Sequence, residues 1–334
     1  MPFSSIGDLA QTFVTRRANT RLTSELSKLG TELTTGLKRD KGTALSGDLG
    51  MLTALERSVT EIAALSSAAK EAKVFADATE ARLGRIQDLV QDLGTKAVLS
   101  QGGVGGNVES AVIAAAQDAF ATTVSSMNAT GAGRFLFSGT ATGTAPLRDA
   151  DAILADLAAV VAGAPDAASF NAAVDAYFGP GGGFETTDYQ GTSQDLAPQR
   201  ISQDESVDLG LRADSAVFRD TLAGIARIAL LDGGAFVGAP AERQAIIDTA
   251  IGGLRGADNG LTRERSSVGS AQGLIDRAIT RNASETTALD QTRVSLIGAD
   301  PYETAIRIEQ TQVQLESLYT LTARLSRLNL ANFL

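Results

Sequence analysis

Paired carboxylates are the first residues to test for chemistry. Asp149 with Asp151, and Asp204 with Glu205, are the raw material of general acid–base work. That chemistry needs one carboxyl buried and protonated while its neighbour stays ionised. Both pairs lie in polar stretches, so a solvated surface is the expected setting. Ser138, in Phe137-Ser138-Gly139, offers a hydroxyl nucleophile, but the chain has no histidine to activate it. A Ser–Lys arrangement stays open in principle, although nothing marks a lysine for it. The absence of cysteine excludes disulfides, thiol catalysis and Cys-ligated zinc. Metal ligands would have to be carboxylates alone, and no calcium-loop spacing occurs. Gly102-Gly103-Val104-Gly105-Gly106 lacks the Lys-Ser or Lys-Thr that completes a phosphate loop, and reads as a turn between antiparallel helices. The expectation is a non-enzyme with no catalytic residue, no cofactor and no metal.

Charge and hydropathy narrow the class further. A net charge of −10 argues against nucleic acid, whose phosphates call for clustered Lys and Arg. Met1 to Leu9 lacks a basic stretch followed by an apolar core, so no Sec-type signal peptide is expected. No run approaches the ~18 uncharged apolar residues of a membrane span. Aromatics make up only 5% of the chain, while 34 glycines and many alanines fill the rest. Such a composition suits thin helical packing with small side chains. At 334 residues the chain is long enough for two or three domains and a sizeable core.

The elements that must position any site are long helices. Leu22, Leu26, Leu29, Leu33 and Leu37 follow a rhythm close to a heptad seam. Beyond the glycine-containing stretch 36–50, Leu52, Leu55, Val59, Ile62 and Leu65 resume it, and Leu83, Ile86, Leu89, Val90 and Leu93 carry it on. A helix of roughly 50 residues is about 75 Å long, too long for one side of a compact globule. At the other end Asp300 can cap a helix, Pro301 suits its first turn, and Glu303 sits three residues after the cap. Leu315, Leu318, Leu321, Leu325 and Leu328 then form an apolar stripe that needs a distant or intermolecular partner.

Between the ends the texture changes. Gly131 to Thr140 is aromatic, glycine-flanked and turn-bounded, as expected of a short extended segment. Residues 149–161 and 169–178 read as short Ala-rich helices; 184–190 and 199–211 read as strands. Helical signals return at 214–231 and after Pro240, weakened by Gly252, Gly253, Gly256 and Gly260. The expected fold is mainly α: an elongated antiparallel bundle of N- and C-terminal segments with a small mixed α/β insert. The boundaries are 1–134 and 213–334 for the two halves of the rod and 135–212 for the inserted outer domain.

Three segments carry a family resemblance. Asp300-Pro301-Tyr302-Glu303-Thr304-Ala305 through Asn329-Leu330-Ala331-Asn332-Phe333-Leu334 resembles the terminal helix of the flagellin superfamily. Leu22 to Leu26, leading to Leu33-Thr34-Thr35-Gly36-Leu37, is similar to its N-terminal helix. Gly133-Arg134-Phe135-Leu136-Phe137-Ser138-Gly139-Thr140 resembles a segment typical of the third type of hook-associated protein, at the hook–filament junction. The chain departs from flagellin after Gly36, where Leu37-Lys38-Arg39-Asp40-Lys41-Gly42 stands in place of the usual Asn-Ser-Ala-Lys-Asp-Asp-Ala run. The insert is also modest for an exposed filament domain.

The resemblance implies an extracellular structural subunit of the bacterial flagellum, exported unfolded through a type III channel. Its implied partners are further copies in a helical tube, a hook-associated protein on the hook side, flagellin on the filament side, and an export chaperone. Packing of Leu22, Leu26, Leu29 and Leu33 with Leu315, Leu318, Leu325 and Leu328, within a subunit or across the tube, is the expected assembly seam. Flagellin itself and a coiled-coil scaffold without a flagellar role are the competing readings. A charge in the seam, Leu26→Asp or Leu325→Asp, should block assembly, with charge changes at Asp166 or Asp204 as neutral controls. Normal junctions and swimming in both seam variants would remove the seam assignment.

Overall fold

The described residues fold mainly into helices, as the apolar periodicity leads one to expect. The computed structural model describes residues 6–101, 106–233, 236 and 238–331, without the side chains of 6–9, 107–108 and 325–331. In chain order the helices α1 (Ile6–Thr35), α2 (Lys41–Ala44), α3 (Gly50–Ser100) and α4 (Gly106–Met127) come first. Strands β1 (Thr130–Gly131) and β2 (Arg134–Phe135) precede α5 (Ala150–Val161), α6 (Ala167–Phe178) and a π-helical turn, Phe184–Asp188. Strands β3 (Gln199–Arg200) and β4 (Ser206–Val207) lead to α7 (Ala216–Ala229), a 3-10 turn, α8 (Pro240–Ile297) and α9 (Pro301–Ala331). Of the glycine cluster expected as a turn, Gly102 to Gly105 lie outside the described residues and Gly106 opens α4.

Two compact units partition the chain: residues 64–283, and a second made of 1–63 with 284–334. The core of the larger unit is built from four helical stripes. Ala69, Ala72, Phe75, Thr79, Leu83, Ile86, Val90, Leu93 and Ala97 recur along α3 every three or four residues and are buried. They meet Ala116, Phe120 and Met127 of α4, Leu254, Leu261 and Ile275 of α8, and the nearly engulfed α7. Fully burying one large aliphatic or aromatic side chain stabilises by roughly 1.5–3 kcal/mol.

Polar rungs fix the register between α3 and α8. Lys73 pairs with Asp276 at 3.0 Å, and Gln272 donates to Asp77 at 2.8 Å. Arg265 reaches Glu80 at 2.6 Å and the Gln87 side-chain oxygen at 2.6 Å. Gln87 and Gln91 both donate to Asp258, at 2.7 and 2.9 Å. Sequence number rises on one helix as it falls on the other, so the pair is antiparallel. A slide by one turn would break several rungs together, which ties register to polar side chains.

Glycines expected to weaken α8 prove to be of two kinds. Gly224 of α7 lies where a Cβ would meet Leu254 at 3.1 Å, and a Cβ at Gly260 would meet Val217 at 2.8 Å. These two permit close packing of α7 on α8. Gly252 and Gly256 face open space, so only their backbone entropy acts against the helix. The helix runs through all of them unbroken.

Within the larger unit, segment 131–140 is fastened at several points. Gly131 lets β1 approach α3, because a Cβ there would stand 3.0 Å from that of Ala78. Arg134 pairs with Glu71 at 2.9 Å and lies 5.4 Å from the Phe75 ring centre. Phe137 packs edge-on against Phe218, ring centres 5.1 Å apart. Gly139 turns with φ +63° beneath Gln194 O, only 2.5 Å from where a Cβ would sit. Thr140 N–H donates to that same carbonyl.

The expected strand at 184–190 is instead the π-turn. Asp188 is fully buried there, and its carboxylate accepts from the Tyr177 hydroxyl and from Arg148 at 2.9 Å. Burial pushes both the Asp188 carboxyl and the Tyr177 phenol up from their ordinary values. A carboxylate that satisfies two separate elements outweighs the extended preference of Thr186 and Thr187. The expected strand 199–211 shrinks to the β3–β4 hairpin, with Gln199 opposite Val207. Asp166, taken from sequence as a neutral surface position, accepts from Ser169 N–H at 2.7 Å and caps α6. Replacing such a cap costs about 1 kcal/mol, so it is a poor control.

Gly252→Ala and Gly256→Ala should each raise stability by roughly 0.5–1 kcal/mol. Gly139→Ala should lower it by at least ~1–2 kcal/mol through its left-handed backbone. Urea denaturation checks both, and equal effects at the three sites would contradict the packing described.

Candidate assembly interface

The smaller unit is organised by a crossing of two helix ends. Gly36, with φ +69°, closes α1, and its N–H donates to Glu32 O at 2.9 Å. The next residue, Leu37, forms an isolated antiparallel bridge with Gly298. Lys38 N–H donates to Ile297 O at 2.8 Å, and Ala299 N–H to Gly36 O at 2.9 Å. Gly298 must be glycine, since a Cβ there would lie 2.4 Å from Val294 O. Asp300 then caps α9, accepting from Tyr302 N–H at 2.8 Å and Glu303 N–H at 3.2 Å. The start of α9 and the end of α1 are thereby fastened together, and the helices pack antiparallel from that point.

The seam between α1 and α9 is thin. In α1 the positions on the seam side are Thr15, Ala18, Leu22, Glu25, Leu29 and Glu32, a three-four alternation in which Glu25 stands at the exposed edge. In α9 they are Thr304, Ile308, Thr311, Leu315 and Leu318. Among the described residues of α1, only Leu22 (9% exposed) and Leu29 (1%) bury a large apolar side chain. Thr304 and Thr311 turn their hydroxyls to Asp300 O and Arg307 O, each at 2.7 Å, and occupy buried positions of the seam. Arg307 pairs with Glu25 at 3.0 Å on the exposed flank, a contact of the kind worth about 0–1 kcal/mol.

Of the leucines singled out from sequence, Leu22 and Leu29 are buried, and Leu26, Leu315 and Leu318 are half-buried. Leu33 is 43% exposed, and Glu32 takes the inward place, accepting from Arg39 N–H at 2.9 Å. Leu325 and Leu328 belong to α9, but their side chains lie outside the described residues. Reading leucines alone missed the threonines and Glu32, which keep the heptad phase without its hydrophobicity.

A second apolar face of α9 was not visible as a leucine stripe. Tyr302, Ile306 and Val313 recur at four and seven residues, on the side opposite Thr304 and Thr311. Tyr302 is 76% and Val313 62% exposed. Tyr319 and Leu321 of α9 and Phe13 and Val14 of α1 are exposed as well. The helix pair therefore carries large apolar side chains that its own chain leaves open, the signature of an interaction surface.

The residues considered for catalysis are not assembled for it. Asp149 stands at the cap of α5 without a side-chain cap bond, and Asp151 is exposed. Asp204 is exposed, while Glu205 pairs with Arg281 at 2.9 Å. The hydroxyl of Ser138 is buried and without a hydrogen-bond partner. Among the described residues no group of three or more acidic side chains is placed to hold a metal, and no helix is long and apolar enough to cross a membrane.

Comparison with known proteins agrees with this geometry. The bacterial flagellin N-terminal helical region matches residues 6–142, and the flagellin C-terminal helical region matches residues 243–334. The fold is similar to that of a putative flagellar hook-associated protein from Vibrio parahaemolyticus: TM-score 0.51, 17% identity, 74% of this chain and 96% of that one. FlgL of Bacillus cereus gives 0.51 and 12%, over 72% of this chain and 98% of its own. FlgL of Xanthomonas campestris gives 0.52 and 13%, over 72% and 99%. No curated protein matches by sequence.

Leu29→Ala should destabilise the α1–α9 pair by about 2–3 kcal/mol, read as faster amide exchange in both helices. Leu33→Ala should leave exchange nearly unchanged. Equal effects would place the seam elsewhere.

Proposed function

The chain belongs to the flagellin superfamily and is a structural subunit of the bacterial flagellum, and we propose that its place is the junction between hook and filament. The observation that carries the reading is the two-faced α9. One face packs on α1 through a thin seam, and the other presents Tyr302, Ile306 and Val313 outward. A subunit with that arrangement completes its apolar burial only when a neighbour covers the outer face. Ordering is then deferred to assembly, which suits a chain that travels unfolded before it packs. Repeated head-to-tail contacts of this heterologous kind generate a helical tube.

Two observations favour the junction over the filament. The segment Gly133 to Thr140 resembles that of junction proteins, and it anchors the insert by Phe137 on Phe218 and by the turn at Gly139. Solved structures with a similar fold include a putative flagellar hook-associated protein and two FlgL proteins. On this reading the subunit contacts a hook-associated protein on one side and flagellin on the other, outside the cell. It reaches its place by type III export, with a chaperone guarding the terminal helices. Its role is mechanical, coupling a flexible hook to a stiff filament without catalysis.

Val313→Asp and Ile306→Asp, placed in a strain lacking the native gene, test the outer face. Both variants should be secreted and keep the monomer's helical content, yet fail to support filament growth and swimming. Asp204→Lys, on an exposed loop of the insert, should swim normally. Normal filaments in both α9 variants would contradict the reading.

A further inference from the structure

The two outward sides of the α1–α9 pair carry opposite charge. On α9 the side turned from the seam holds Tyr302, Ile306 and Val313, with Glu303, Glu309 and Glu316 among or beside them. All three glutamates are exposed and without an ion pair among the described residues. The cations of the same helix are Arg307, held by Glu25 on the flank, and Arg324, beyond Leu321, with Arg327 further on and outside the described side chains. On α1 the side away from Leu22 and Leu29 holds Phe13, exposed and flanked by the exposed Arg16, Arg17 and Arg21. Lys28, half-buried further along, has the same sign. The one acid between Ala10 and Thr31 is Glu25, which pairs with Arg307 at the seam's edge. One back of the pair is therefore apolar and acidic, the other apolar and basic.

We propose that the outer face of α9 in one copy is covered by the outward side of α1 in a second copy, with Phe13 beside Val313 and the arginines of α1 on the glutamates of α9. The inference rests on the reading of that face as an assembly surface and names what covers it. In an antiparallel crossing with Phe13 set beside Val313, Arg16 lies three residues on and Glu309 four residues back. Both steps rise about 5–6 Å, so the two charges come level. Arg21, eight on, then falls within about 3 Å of the level of Glu303, ten back. Two α9 backs, or two α1 backs, would meet with like charges, so the charge pattern selects the mixed contact. Each copy uses a different patch, which makes the contact heterologous and lets it repeat head to tail.

The chain has no cysteine, so Phe13→Cys and Val313→Cys together supply the only thiols of the subunit. They lie on opposite backs of two packed helices, whose axes alone stand about 8–10 Å apart. A disulfide needs Cβ atoms within roughly 4 Å, so one chain does not bridge itself. Mild oxidation of flagella from a strain carrying only the double variant should give a ladder of dimers, trimers and higher multimers on a non-reducing immunoblot. Either single variant should stay monomeric. If either cysteine prevents assembly, Arg16→Cys with Glu309→Cys takes their place. Separately, Arg16→Glu and Glu309→Arg should each cut filament-bearing hooks about tenfold at native secretion, and the two combined should restore them. No ladder, or single swaps as harmless as their combination, would overturn the proposal. A defect in Glu309→Arg that Arg16→Glu does not rescue would give the α9 face to another protein, overturning the proposal while the junction reading stands. That reading fails on its own test, by normal filaments in Val313→Asp and Ile306→Asp.

Discussion

Two backbone hydrogen bonds, Lys38 N–H to Ile297 O and Ala299 N–H to Gly36 O, join residues some 260 positions apart in sequence. Everything in the smaller unit follows from that crossing. It can form only because Gly36 takes a left-handed backbone and Gly298 leaves room for the carbonyl of Val294. Once it forms, α1 and α9 leave the crossing side by side in antiparallel register. Closing so long a loop has an entropic cost that grows only slowly with length. The fold can therefore pair the two ends of the chain, provided something else fixes which residues meet.

In the larger unit that task falls to polar side chains. The apolar stripes of α3 and α8 are rich in alanine, and small knobs discriminate poorly between registers. Arg265, held by Glu80 and Gln87, and Asp258, shared by Gln87 and Gln91, supply what the core lacks. The same shortage of large side chains explains the thin α1–α9 seam. There Thr304, Thr311 and Glu32 occupy inward positions that leucine fills in a self-sufficient coiled coil. A seam of this composition leaves stability to be gained from neighbours.

The helices were legible because their signals are local. Asp300 and Pro301 announced α9, and the three-four recurrence from Leu83 to Leu93 announced α3. The π-turn at Phe184–Asp188 was not legible, because its cause is a contact among Asp188, Tyr177 and Arg148, distant in sequence. The glycines of α8 read as weaknesses, yet Gly260 lies against Val217 of α7 and lets the two helices pack closely. Leucine spacing located the seam only in part: Leu33 shares the rhythm by eye yet points outward, and the outer face of α9 is built from Tyr302, Ile306 and Val313 rather than from leucine. Periodicity finds the face that is apolar. It does not count how many faces need covering.

Placement in the flagellum is the central claim, and position is directly visible. Gold-labelled antibody against the insert, applied to intact flagella, should mark one narrow band at the tip of the hook. A deletion strain should carry hooks without filaments. Label along the whole filament, or swimming that survives the deletion, would contradict the account.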